Sequence, residues 1–306
     1  MRALIYLLLS KHPFPMKHSI LLPLVLLAFC LGGCNTKPSK HGQLMPGITK
    51  AEAQERSEVT SQTETNGSAA TAEFSPQGAD SILLPAPMKG VAEQILMRKA
   101  YVASYNKDTR IPNWVAWTLT ADHTDGPYKR AGVKFHEDDE VPEPRVTTYD
   151  YMQSGYDRGH MCPSADNRWS SAAQEECFLM TNICPQNHNL NAGDWGEMEN
   201  QCRAWAKEYG RVYIVCGPIL FRSRHKKIGT SKVVVPEAFF KVVLCLEGTP
   251  KGIGFIYRNE AGNRPKGDYV NSIDEVERIT GIDFFAKLPD KVEKAVESQA
   301  SLDDWY

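Results

Sequence analysis

The stretch Asp157-Arg158-Gly159-His160, followed by Thr181-Asn182-Ile183-Cys184-Pro185-Gln186 and then by Leu190-Asn191-Ala192-Gly193-Asp194-Trp195, decides how this chain is read. Glu199 and Arg203 complete the group. His160 carries an imidazole that titrates near neutrality when unperturbed, which suits a general base. The glycine before it lets the backbone approach a substrate closely or take a positive φ. Asn191 offers a neutral amide oxygen, a hard donor suited to Mg²⁺, an ion that keeps most of its waters and needs few protein ligands; at the head of a helix it is also an N-cap candidate. Glu199 is read as lying two turns further along the same helix and near the same face. There it could orient metal-bound water, pair with Arg203 four residues on, or do both. Arg158 and Arg130 are candidate phosphate ligands, because the planar guanidinium fork matches phosphate oxygens; Lys129 could stand in for Arg130. Asn182 is expected to tie the strand carrying His160 to the helix carrying Asn191. Asp157 is given no chemical step, and His123, His136, His188 and His225 read as structural.

Hydrolysis of a phosphodiester needs an aligned water, a group to take its proton, and positive charge for the non-bridging and leaving oxygens. This set of residues offers each. In order and spacing the motifs resemble the DNA/RNA non-specific endonucleases of the ββα-metal superfamily. The resemblance runs from about residue 95 to about residue 289 and adds Asn113-Trp114-Val115-Ala116-Trp117 upstream and Asp283-Phe284-Phe285-Ala286-Lys287-Leu288-Pro289 downstream. It implies a His-Me finger nuclease fold with helices outside a central sheet and the ββα-metal element at one edge. It also implies one Mg²⁺ held by Asn191, with Mn²⁺ able to substitute, and 5′-phosphate products from DNA and RNA. Families of this kind can form homodimers, but no stretch here marks an interface. Two other readings compete: a catalytically silent nucleic-acid-binding module of the same fold, and a phosphodiesterase for small nucleotides. A silent module would lack His160, Asn191 or Glu199, and all three are present.

Outward from the motif, residues 1–33 read as a signal. Lys17 and His18 precede an apolar run from Ile20 to Leu31, which ends in Leu31-Gly32-Gly33-Cys34. The pattern is that of an export signal, and its ending resembles a bacterial lipoprotein signal in which Cys34 is lipidated. About twelve apolar residues fall short of the roughly twenty that span a bilayer. Residues 34–89 read as a lipidated cysteine and a disordered tether, because a stretch rich in Ser, Thr, Gln, Glu, Ala and Gly cannot bury enough surface to order itself. Within it, Ser81 to Pro87 is a short apolar patch able to dock on the domain that follows. Residues 90–306 read as one endonuclease domain. The expected location is therefore outside the cytoplasm, in the periplasm or at the outer membrane or cell surface, held to the membrane through Cys34.

Without residues 1–33 the chain carries 32 basic and 37 acidic side chains. An acidic balance argues against tight, sequence-independent wrapping of long duplex, while the field inside a cleft is set locally. Arg222, Arg224, Lys226 and Lys227 form the one dense basic cluster, either a phosphate-contacting rim or a solvated hairpin loop. Six cysteines remain after Cys30 and Cys34, at 162, 177, 184, 202, 216 and 245. An even number in an exported protein suggests disulfide bonds; Cys216 and Cys245 fit either a cross-strand bridge or two buried thiols.

Aromatic and β-branched runs at Trp114–Leu119, Arg211–Cys216, Phe239–Leu246 and Gly252–Tyr257 read as strands. A helix is expected from a capping box at Ser171-Ala172-Ala173-Gln174 through Met180, and another from Ser272-Ile273-Asp274-Glu275 to Gly281. A long helix is expected from near Ala192 to Gly210, with Trp195, Met198, Cys202 and Trp205 or Ala206 on one stripe. The fold class is α+β, with a mostly antiparallel central sheet flanked by helices.

Overall fold

A computed structural model describes Ile82 and residues 84–306. The signal, Cys34 and most of the tether lie outside the described residues. No helix among the described residues is long and apolar enough to cross a membrane.

The framework is a seven-stranded antiparallel sheet in the order β1 (Gln94–Met97), β2 (Val102–Asn106), β3 (Ile111–Thr120), β6 (Arg211–Ile219), β9 (Ala238–Cys245), β10 (Lys251–Arg258) and β11 (Val270–Asn271). Each expected strand is present, some a few residues longer than read. The central strands are buried along most of their length because both faces of the sheet are covered. In β9 alternation sends Phe239, Lys241 and Val243 to one side and Ala238, Phe240, Val242 and Leu244 to the other, and the two sets belong to two separate apolar clusters. On the second side, Ile82, Leu84 and Met88 pack against the cluster, and the Ala86 N–H donates to the Asp283 carbonyl at 2.9 Å.

One face of the sheet carries α4 (Asp194–Tyr209), which buries Trp195, Met198, Cys202, Trp205 and Ala206, the stripe its sequence periodicity predicts. Trp205 packs against Trp305 with ring centroids 4.4 Å apart, and its indole donates to the Trp305 carbonyl. The other face carries α5 (Ile273–Thr280) and α6 (Asp290–Glu297). Ser272 caps α5 by accepting from the Glu275 N–H, and Gly281 closes it in the left-handed conformation. Only half of the expected box forms, because the Glu275 carboxylate pairs with Arg278 instead. These helices lie close to β10: a Cβ at Gly252 would stand 2.4 Å from the Val296 carbonyl oxygen, and one at Gly254 would stand 2.6 Å from Val276.

Three helix and cysteine expectations need correction. The helix after the active-site strand, α2 (Ser171–Glu176), is capped by Ser170, not Ser171, and stops at Glu176, not Met180. Gln174 cannot serve the cap, since its amide is bound to Ser164 in the interior. The long helix does not start at Ala192: a separate short helix, α3 (His188–Ala192), ends at Gly193 before α4 begins. A Cβ at Gly193 would meet the Asn189 carbonyl oxygen at 2.5 Å, so the joint needs glycine. Finally, Cys162, Cys177, Cys184, Cys202, Cys216 and Cys245 are buried free thiols, not disulfides. Cys216 lies opposite Lys241 in the ladder, and Cys245 lies opposite Lys251, so the register keeps the two cysteines apart.

Candidate active site

The motif folds into a two-stranded ribbon separate from the main sheet. β4 (Asp157–His160) pairs antiparallel with β5 (Ile183–Gln186), and α3 follows. This β-β-α unit lies beside a cleft of about 610 Å³ lined by Lys129, Arg130, Arg158, His160, Arg168, Asn191 and Glu199, among others. Four cations and the base, amide and carboxylate of the sequence reading therefore meet in one place. Lys129 and Arg130 both reach it, the Arg130 guanidinium lying 5.6 Å from the centre of the Phe178 ring. Arg168 was not singled out from sequence; it donates to the Thr124 and Gly126 carbonyls and so fixes the loop at the cleft wall.

His160 is 8 % exposed and stands between Phe135 and Phe178, with ring centroids 5.2 and 5.0 Å away. Its Nε2 has no hydrogen-bond partner among the described residues. Burial, reinforced by the Arg130 charge, pushes the imidazole down to about 3. The ring is therefore neutral across the physiological range. Its backbone carbonyl accepts from the Trp195 indole at 3.3 Å, which joins β4 to α4. Gly159 does not take a positive φ; the close approach it permits is to Gln186, whose Oε1 would lie 2.1 Å from a Cβ.

Asn191 is on α3 and Glu199 on α4, so the two share a cleft but not a helix. Asn191 does not cap: Asn187 does, accepting from the Asn189 and Leu190 N–H groups. The Asn191 Nδ2 donates to Asp157 Oδ2 at 2.9 Å, and the same oxygen accepts from His188 Nδ1 at 2.9 Å. Asp157 thus orients the amide, occupying its nitrogen and leaving Oδ1 as the donor on offer. A carboxamide oxygen held this way, with a carboxylate in the same cleft, is a hard-oxygen set that fits Mg²⁺.

The supporting residues differ from expectation. Arg203 does not hold Glu199; it pairs with buried Asp166 at 2.8 Å and with Asn200. Asp166 also accepts from the Trp117 indole at 3.1 Å, so the carboxylate deep in the wall draws the guanidinium away. Asn182 does not reach the helix of Asn191. Its amide accepts from the Cys162 N–H and donates to the Cys162 and Cys177 carbonyls, fastening the segment after His160 to the end of α2. None of Arg222, Arg224, Lys226 and Lys227 lines the cleft, and His225 between them bonds Glu237. This cluster belongs to the loop leading into the β7 (Lys227–Ile228) and β8 (Val233–Val234) hairpin.

Lys241 is the residue that sequence reading passed over. It is fully buried in β9 on the cleft side, its ammonium 4.3 Å from the Trp195 ring centre and 5.2 Å from that of Trp117. Its charge acts on both Glu199 and Asp166. Burial still pushes the Glu199 carboxyl up to about 7. The visible signal was a single lysine inside Phe239-Phe240-Lys241-Val242-Val243-Leu244: a buried strand tolerates a lysine only when something interior balances it.

A second overlooked residue is Asn259, just past β10. Its Oδ1 accepts from the Asn187 N–H at 2.7 Å and its Nδ2 donates to the Pro185 and Pro236 carbonyls. It clamps the turn from β5 into α3 against the main sheet.

Residues 83–291 match the family described as DNA/RNA non-specific endonuclease. A nuclease of Nostoc sp. is 33% identical over 218 residues, 67% of this chain and 78% of that protein. The mitochondrial endonuclease G of Bos taurus is 32% identical over 216 residues, 66% of this chain and 72% of that one. Among solved structures, an EndoG in complex with its inhibitor EndoGI superposes with a TM-score of 0.62 at 27% identity, over 65% of this chain and 88% of that chain. The likeness covers the sheet, the ribbon and the cleft alike, and on it this chain belongs to the DNA/RNA non-specific endonucleases, metal-dependent enzymes of the ββα-metal fold.

Proposed function

We propose that the chain is an exported, membrane-tethered Mg²⁺-dependent endonuclease that hydrolyses DNA and RNA with little base preference, His160 being the general base. The observation that carries this reading is the buried, neutral and unpartnered Nε2 of His160 in a cleft that also contains Arg130, Arg158, Asn191 and Glu199. Asn191 Oδ1, aimed by Asp157, and Glu199, acting through water, are the groups that would hold the cation. When bound, Mg²⁺ supplies positive charge to the non-bridging and leaving oxygens of the phosphate. His160 takes the proton of the attacking water at Nε2, and the Phe135 and Phe178 rings keep bulk solvent from that nitrogen. Arg158 and Arg130 orient the phosphate by their planar forks. Lys129 and Arg168 extend the positive wall along the strand. Among the described residues no recognition helix enters this cleft and no aromatic row lines it, which fits backbone recognition rather than base reading.

The test is cleavage of supercoiled plasmid and of total RNA by the full chain with Mg²⁺, with chelator, and with His160→Ala. Mg²⁺-dependent loss of both substrates, abolished by chelator and by the substitution, is the expected result. Near-native cleavage by a folded His160→Ala protein removes the base assignment. Absence of cleavage by the folded wild type favours the silent binding module, and cleavage confined to short diesters favours the small-nucleotide phosphodiesterase. Lipid attachment at Cys34 is tested separately, by labelled fatty acid incorporated into the wild type and not into Cys34→Ser.

A further inference from the structure

On the sheet face opposite the cleft, one carboxylate oxygen from each of Asp274, Glu277 and Glu297 lies within 4.8 Å of the other two. Asp274 and Glu277 are three residues apart on α5, and so share a face. Glu297 is the last residue of α6, where the helix dipole is negative and disfavours a second negative charge. A cluster of acids alone is common, but this one has an interior member. Glu297 is 3 % exposed, and its Oε1 is buried with no hydrogen-bond partner among the described residues. Burial, with the negative charges of Glu277, Glu293, Asp274 and Asp283, pushes Glu297 up to about 9. No lysine or arginine makes an ion pair with any of these five acids among the described residues. A buried carboxylate normally acquires a cation or a proton. One Glu277 oxygen already accepts from the Phe284 N–H at 2.7 Å, which orients the group.

We infer that Asp274, Glu277 and Glu297 form a second, structural divalent-cation site of Ca²⁺ type that pins α5 to α6, independent of the catalytic metal. The dimensions agree: Ca²⁺ binds oxygens at about 2.3–2.6 Å, so oxygens on opposite sides of one ion stand roughly 4.6–5.2 Å apart. Three carboxylates within that span can face a single ion, with water completing the shell. An all-carboxylate set of hard oxygens selects Ca²⁺, Mg²⁺ or Mn²⁺ over softer metals.

The experiment is calorimetric titration of the full chain with CaCl₂, together with thermal unfolding with and without Ca²⁺. Asn191→Ala serves as the background so that the catalytic cleft does not contribute. The expected result is one Ca²⁺ binding event and a Ca²⁺-dependent rise in Tm that survive Asn191→Ala. Both should weaken by at least about tenfold in affinity in Glu297→Gln and in Asp274→Asn. Asp274 is exposed, so Asp274→Asn keeps the test decisive if Glu297→Gln fails to fold. Plasmid cleavage by Asp274→Asn with Asn191 intact is expected to match wild type at saturating Mg²⁺. No Ca²⁺ binding in the Asn191→Ala background, or affinity unchanged by both acid substitutions, overturns the site and leaves a proton shared among the three carboxyls.

Discussion

The two faces of the sheet treat buried charge differently. On the cleft face, Asp166 meets Arg203 at 2.8 Å, and Lys241 in its box of Trp117 and Trp195 acts on Asp166 and Glu199. Charges of both signs are interleaved on this face. On the opposite face, Glu297 is also largely shielded from solvent, yet the main charges acting on it are negative. Burial by itself therefore does not mark function. On one side charges of the chain itself lie close enough to offset one another, the Arg203–Asp166 pair above all, and on the other the inferred site takes its balance from outside as a cation or a proton. That difference predicts where substitutions will cost rate and where they will cost stability.

The largest effect is expected at the base. His160→Ala should lower kcat/KM by about 10²–10⁴, with circular dichroism and Tm near wild type. A loss of fold instead would place His160 with the structural residues of this face. Lys241→Met should come next, in stability. Removing one partner of a buried set of charges leaves Asp166 and Glu199 less balanced and costs about 3–5 kcal/mol, read as a lower denaturant midpoint. An unchanged midpoint would mean that the interleaved charges on this face stabilise nothing. Asp157→Ala should then weaken Mg²⁺ by about 10–100-fold, because the Asn191 amide loses the acceptor that orients it; a Mg²⁺ titration of cleavage reads this as a raised half-saturating concentration with kcat recovered at excess metal. Equal metal affinity in the variant would remove Asp157 from the site.

The smallest effect belongs to the opposite face and sets the sign of a pH dependence. Glu297 is pushed up from an ordinary 4.5 to about 9, so the folded protein keeps its proton between those values where the unfolded chain releases it. With chelator present, that contribution is fully in place below about pH 4.5 and is lost as pH rises towards 9. Unfolding midpoints between pH 5 and 9 should fall with a shallower slope in Glu297→Gln than in wild type. Parallel slopes would show that Glu297 is not titrating differently on folding.

How much of this was open to a reader of the sequence depends on the range of the interaction. The stripe of α4, the apolar runs of β3, β6, β9 and β10, and the cap at Ser272 follow from neighbours a few positions apart, and they appear as expected. His160, Asn191 and Glu199 were singled out because the motifs around them resemble those of a nuclease family, and the fold brings all three to one cleft. What failed was long-range choice. Arg203 has Glu199 four residues away, yet it takes Asp166 across the fold. Asn182 likewise bonds Cys162 and Cys177, not the helix carrying Asn191. The break at Gly193 was visible as a glycine inside a helical pattern; only the nearness of the Asn189 carbonyl explains why it interrupts the helix.

The Asn259 amide joins backbone groups from three places: the Asn187 N–H, the Pro185 carbonyl and the Pro236 carbonyl. Two of the three belong to prolines, which have a carbonyl to offer but no N–H. A single substitution at 259 would subtract three hydrogen bonds together, at the turn that sets the heading of α3 and hence of Asn191. The aim of Asn191, the proposed metal ligand, thus depends on a residue nearly seventy positions away that does not line the cleft, and the alignment of the site is a property of the rim of the sheet as much as of the motif.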